Sequence, residues 1–91
     1  MLYNKEEEMI LLELFTSPTC PYCPAAKKVI GSVASQLNDA VVLDRDISLK
    51  ENQEIASRYG ITSVPTLVIN EKYIIVSPTD ARKILNILQQ I

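Results

Sequence analysis

The stretch Thr16–Pro24, TSPTCPYCP, places three prolines and both cysteines of the chain in one short run, and it separates two segments of opposite periodicity. Proline fixes φ and donates no hydrogen bond, so this run is a loop leading into a helix start. Before it, Met9–Phe15 (MILLELF) is short and nearly all apolar. That pattern fits a strand buried on both faces of a sheet that mixes with helices. After it, Cys23, Ala26, Ile30, Val33 and Leu37 recur at alternating steps of three and four. The spacing predicts an amphipathic helix over Pro21–Leu37, about four turns long. Pro21 suits a first turn, whose amides have no intrahelical acceptor; Pro24 requires that the helix begin at about Cys20.

The rest of the chain extends this strand–loop–helix unit. Ala40–Ile47 (AVVLDRDI) reads as a second strand, and Lys50–Tyr59 as a second helix with Gly60 as its C-cap. Ile61–Pro65 is a connection. Thr66–Asn70 and Lys72–Val76 are β-rich runs around a turn at Asn70 and Glu71, and they are expected to pair as a hairpin. Thr79 or Ser77 is expected to cap a last helix with Ala81, Ile84, Leu85, Leu88 and Ile91 on its inner face. The order β-α-β-α-β-β-α predicts an α/β fold: a mixed four-stranded sheet with three flanking helices.

A chain of 91 residues forms one domain, 1–91, in which Met1–Glu8, with Lys5 and three consecutive glutamates, is a solvated lead-in. A formal charge of −2 and a pI near 5.0 offer no basic face for a phosphate backbone, so nucleic acid is not an expected partner. The longest apolar run, Met9–Leu12, cannot span a bilayer, and no signal-like series opens the chain, so the expected compartment is the cytoplasm. In a reducing compartment a structural disulfide does not persist, and a Cys20–Cys23 loop is too short to constrain much of the unfolded chain. Zinc would need two further ligands, and the chain has no histidine and no third cysteine. Redox chemistry is therefore the better account of the pair.

That chemistry follows from position. With Cys20 at a helix N-cap, its sulfur faces unpaired amides and the positive end of the helix dipole, which favour thiolate over thiol. Thiolate is the attacking species. Cys23, one turn on and on the apolar stripe, should be more buried and less ionised, and is placed to resolve a mixed disulfide formed at Cys20. Without a histidine, Cys–His protease chemistry is excluded and activation falls to the helix terminus.

LFTSPTCPYCPAAK, followed further along by YGITSVPTLVIN, resembles the thioredoxin and glutaredoxin family, especially the small archaeal-type members. The resemblance covers Met9–Ile91. It implies the thioredoxin fold, a cis Val64–Pro65 peptide bond, and a proline loop against the cysteines, where the Val64 backbone pairs with an extended substrate segment. Thr19, Pro21 and Tyr22 would flank the exposed sulfur. Pro-Tyr between the cysteines is glutaredoxin-like, yet the segment EKYIIVSPTDA lacks the Gly-Gly and acidic motif with which glutaredoxins hold glutathione. Thioredoxins carry a buried aspartate at the position of Leu14. Glu13 is adjacent, but strand alternation turns it to the opposite face. Asp46, near the end of the neighbouring strand, is a candidate proton relay, with water as the alternative. Val76 stands where thioredoxins tend to have glycine beside the substrate groove.

The resemblance thus implies a monomeric protein disulfide reductase and electron carrier that acts on disulfide-containing proteins. It has no bound cofactor and draws its electrons from a thioredoxin-reductase-like enzyme or a small thiol. The expected potential lies between thioredoxin values near −270 mV and glutaredoxin values of about −200 to −230 mV. A glutathione-dependent glutaredoxin, a non-enzymatic binding module and a dimer bridging a metal or iron–sulfur cluster are the alternatives.

Overall fold

Four strands and three helices follow one another in the expected order within the computed structural model, which describes residues 9–90. They are β1 (Ile10–Thr16), α1 (Cys23–Ser35), β2 (Ala40–Asp46), α2 (Lys50–Tyr59), β3 (Thr66–Ile69), β4 (Tyr73–Val76) and α3 (Ala81–Leu88). The lead-in Met1–Glu8 and Ile91 lie outside the described residues.

The sheet order is β2-β1-β3-β4, with β1 parallel to β2 and antiparallel to β3, and β3 antiparallel to β4. β1 and β3 are central, which explains their nearly continuous apolar sequences: both faces are covered. Leu12, Leu14, Leu67 and Ile69 face one side, where Ala26, Ile30 and Val33 of α1 and Ile84 and Leu88 of α3 pack on them. Phe15 and Val68 face the other side against Ala56 of α2, with Ile55 and Tyr59 at the margin. The Phe15 and Tyr59 rings meet edge to face, centroids 5.9 Å apart.

The turn at Asn70 and Glu71 is as expected, and both residues adopt positive φ, 52° and 59°. The Asn70 side chain accepts a hydrogen bond from the Leu11 amide at 2.8 Å, tying the hairpin turn to β1. Gly60 caps α2 in the left-handed region at φ 75°.

Two helix starts differ from the sequence reading. α1 begins at Cys23, with Tyr22 as N-cap, and ends at Ser35 rather than Leu37. Starting at Cys20 would place Pro24 where its missing amide is needed; starting at Cys23 puts it within the first turn, where no amide is required. α3 is capped by Asp80 instead of Thr79 or Ser77: its carboxylate accepts from the amides of Arg82 at 3.0 Å and Lys83 at 3.3 Å. Ser77 is unsuited, since its φ of 54° holds it in a turn ahead of Pro78.

Candidate active site

The site forms because β1 runs out at the end of the sheet where β3 begins. Their antiparallel register pairs Phe15 with Thr66, so the loop that follows Thr16 and the loop that precedes Thr66 emerge together. The first carries Cys20 and Cys23, and the second carries Val64 and Pro65.

Cys20 and Cys23 are joined in a disulfide, with Cα atoms 5.4 Å apart. Cys23 is the first residue of α1 and only 3% exposed, at the end of the inner stripe that continues through Ala26. Cys20 is half-buried and lies just before the helix in a tight turn, where its amide donates to the Ser17 carbonyl at 3.2 Å. The helix terminus beside it is electrostatically bare: no side chain caps it, no acidic residue occupies its first turn, and Pro24 brings no amide. Cys20 therefore precedes the N-cap instead of occupying it, yet it remains next to the positive end of α1.

The second half of the site is braced from within. The Val64–Pro65 bond is cis. The Thr66 hydroxyl donates to the Ser63 carbonyl at 2.8 Å, and the Ser77 amide donates to the Pro65 carbonyl at 2.9 Å. Pro65 is fully buried, and Val64 is half-buried against the α2 side of the core.

Around the cysteines, Pro21 and Tyr22 are exposed, Tyr22 at 68%. Thr19 is exposed too, but its hydroxyl lies 3.1 Å from that of Ser17 and its amide donates to the same Ser17 oxygen. Thr19 thus shapes the loop as well as facing outward.

Of the carboxylates, Asp46 caps the turn that follows β2: its Oδ1 accepts from the Ser48 amide at 2.8 Å, and the Ser48 hydrogen bonds lower its carboxyl from the ordinary aspartate value. Asp44 makes a connection that the sequence did not reveal. It pairs in register with Leu14, accepts from the Thr16 hydroxyl at 2.7 Å and meets Lys27 of α1 at 3.0 Å. Glu13 faces the α2 side, as alternation requires, and is 2% exposed. Arg45 Nε donates to it at 3.0 Å and the Tyr59 hydroxyl at 2.7 Å. Its burial was hidden in the sequence because its partners lie on β2 and α2.

Comparison with known proteins places this geometry in context. The model of the family described as "Thioredoxin domain" matches residues 10–89. The chain is 37% identical over 83 residues to a protein of Archaeoglobus fulgidus called "Probable Thioredoxin", covering 91% of this chain and 90% of that one. It is 52% identical over 61 residues to the "Thioredoxin" of Methanocaldococcus jannaschii, covering 67% of this chain and 71% of that one. Among solved structures, a single-site mutant of the thioredoxin of Halobacterium salinarum superposes with a TM-score of 0.75 at 29% identity, covering 89% of this chain and 73% of that one.

Proposed function

Because the chain belongs to the thioredoxin family and is a thiol–disulfide oxidoreductase, we propose that Cys20 is its attacking thiol, Cys23 its resolving thiol, and Val64–Pro65 its substrate platform. The observation that carries this reading is the difference between the two cysteines: Cys20 is half-buried beside a bare helix N-terminus, whereas Cys23 is buried on the inner face of the first turn of α1.

In the reduced protein, the Cys20 thiolate attacks one sulfur of a substrate disulfide. A Cys20–substrate bond forms, the substrate S–S bond breaks, and one substrate thiol leaves. Cys23 then attacks Cys20 Sγ, forming the Cys20–Cys23 disulfide and releasing the second substrate thiol. The protein dithiol loses two electrons and two protons, and the substrate gains both. The helix terminus stabilises the thiolate at Cys20 in place of a histidine base. Substrate backbone pairs with Val64 as an added strand, and Thr19, Pro21 and Tyr22 border the exposed sulfur.

The protein acts as a monomer in the cytoplasm, binds no cofactor, and is reduced by a thioredoxin-reductase-like enzyme or a small thiol. Among the described residues no helix is long and apolar enough to cross a membrane. The thioredoxin names of the similar proteins favour protein disulfides over glutathione as substrate.

Insulin reduction, followed by turbidity with a thiol reductant, tests the reading. Turnover by the wild type and its loss in Cys20→Ser are expected. Equal turnover by the two proteins would overturn the assignment.

A further inference from the structure

The loop that carries Cys20 is held at both ends by one side chain from outside it. Thr16 closes β1 and Cys23 opens α1, and the loop is the span between them. Asp44 lies on β2 in register with Leu14, and its carboxylate reaches both ends. Its Oδ1 accepts from the Thr16 hydroxyl at 2.7 Å, and its Oδ2 meets Nζ of Lys27, one turn beyond Cys23, at 3.0 Å. Among the described residues no other side-chain hydrogen bond or ion pair joins β1 or β2 to α1. The two contacts are unequal. Thr16 is 3% exposed, so its hydroxyl is a buried donor, whereas the Lys27 and Asp44 side chains are 53% and 48% open to water. A buried hydroxyl held by a carboxylate contributes more than a solvated ion pair.

We propose that Asp44 is a positioning residue: through Thr16 and Lys27 it keeps the start of α1, and Cys23 with it, docked on the end of β1 while the cysteines are reduced. In the oxidised protein the Cys20–Cys23 bond ties the loop to the helix. Reduction breaks that bond, and the Asp44 tether then holds strand and helix together across the loop. An ordered dithiol loses less entropy on closing, so the disulfide is more stable and the dithiol is the stronger reductant. The same order places Cys23 beside Cys20 in the mixed disulfide. It therefore speeds the intramolecular attack that releases the substrate and leaves the first attack, at Cys20, unchanged. This role rests on the dithiol reading above, although the potential belongs to the pair whichever cysteine attacks first.

The test mixes the reduced protein with excess dithiodipyridine in a stopped-flow instrument and follows the release of thiopyridone. The first equivalent reports attack at Cys20 and scales with reagent concentration; the second reports resolution by Cys23 and does not. Equilibration in glutathione redox buffers gives the potential. Thr16→Val removes the hydroxyl, keeps the shape of the side chain and alters no charge. Resolution about tenfold slower, an unchanged first phase, and a disulfide about tenfold less stable, or about 30 mV less reducing, are expected. Thr16→Ser, which keeps the hydroxyl, should match the wild type. Asp44→Ala, at an exposed position, carries the same expectation as Thr16→Val and covers the case in which the buried substitution does not fold. Lys27→Met should move the potential in that direction too, but by less, because loss of a cation acting on the thiolates alone would make the pair more reducing. Wild-type resolution and potential in the folded tether variants, or equal slowing of both phases, would overturn the tether. Two-phase release that persists in Cys20→Ser refutes the assigned cysteine roles instead, and the comparison of potentials stands apart from it.

Discussion

The Tyr59 hydroxyl donates to Glu13 Oε1 at 2.7 Å, across 46 residues of sequence, while Arg45 holds the other oxygen of the same carboxylate. Glu13 is buried in the face of the sheet that α2 covers, so this carboxylate links β1, β2 and α2. Removing one partner of a buried ion pair leaves an uncompensated group and costs about 3 kcal/mol or more. Glu13→Ala should therefore destabilise the fold by about that amount in urea. Tyr59→Phe, which leaves one carboxylate oxygen without a donor, should cost about 2 kcal/mol. A Glu13→Ala midpoint within error of the wild type would show that the cluster contributes nothing net.

The same contact contributes to the pH dependence of stability. Burial, then the hydrogen bond to Glu13, push the Tyr59 phenol up to about 12 from an ordinary value of 10.0. Between those values the folded state keeps a proton that the unfolded chain has released, so stability falls as pH rises through this window. Below pH 10 the contribution is fully present. Denaturation curves of Tyr59→Phe should show a shallower decline from pH 10 to 12 than those of the wild type; parallel declines would contradict this.

The two cysteines should separate under substitution. In Cys23→Ser the resolving step is lost, so the mixed disulfide at Cys20 accumulates and appears by mass spectrometry as protein plus one substrate thiol. In Cys20→Ser no such adduct is expected, because the remaining thiol is buried on the inner face of α1. Adduct formation at equal rates in both variants would reverse the assignment of roles.

The glycines offer a matched pair of substitutions. A Cβ at either Gly31 or Gly60 meets nothing within 4 Å, so packing is not at issue. Gly60 has φ +75°, where a side chain is strained, and Gly60→Ala should lose about 1 kcal/mol. Gly31 lies inside α1, and Gly31→Ala should gain about 0.5 to 1 kcal/mol. For a domain of this size each corresponds to a shift of roughly 4–8 °C per kcal/mol, in opposite directions. Shifts of one sign would sink the argument.

Most of the architecture was legible because its signals are local. The apolar run of β1, the stripe from Cys23 to Val33, Gly60, and the turn at Asn70 and Glu71 each declare their own conformation. The helix starts were less legible. Pro24 fits only a first turn, but the sequence reading began α1 at about Cys20 and so placed its start too early, and it gave the cap of α3 to Thr79 or Ser77 where Asp80 holds it. Least visible were the long-range polar pairings. Nothing near Glu13 in sequence announces Arg45 or Tyr59, and Asp44 gave no sign that Thr16 and Lys27 would claim it. The cysteine half of the site was readable as a motif, whereas its meeting with the proline loop depends on β3 pairing with β1 across the chain.

That Phe15 pairs with Thr66 also bears on the order of events during folding. The Cys-x-x-Cys pair is local in sequence, and the helix terminus beside it belongs to the same short segment. The platform is not local, since it awaits the closure of the long segment between β1 and β3, which carries a loop-entropy cost. Completion of the central strand pair is the step that brings the proline loop to the cysteines, so the two halves of the site arise from contacts of very different range.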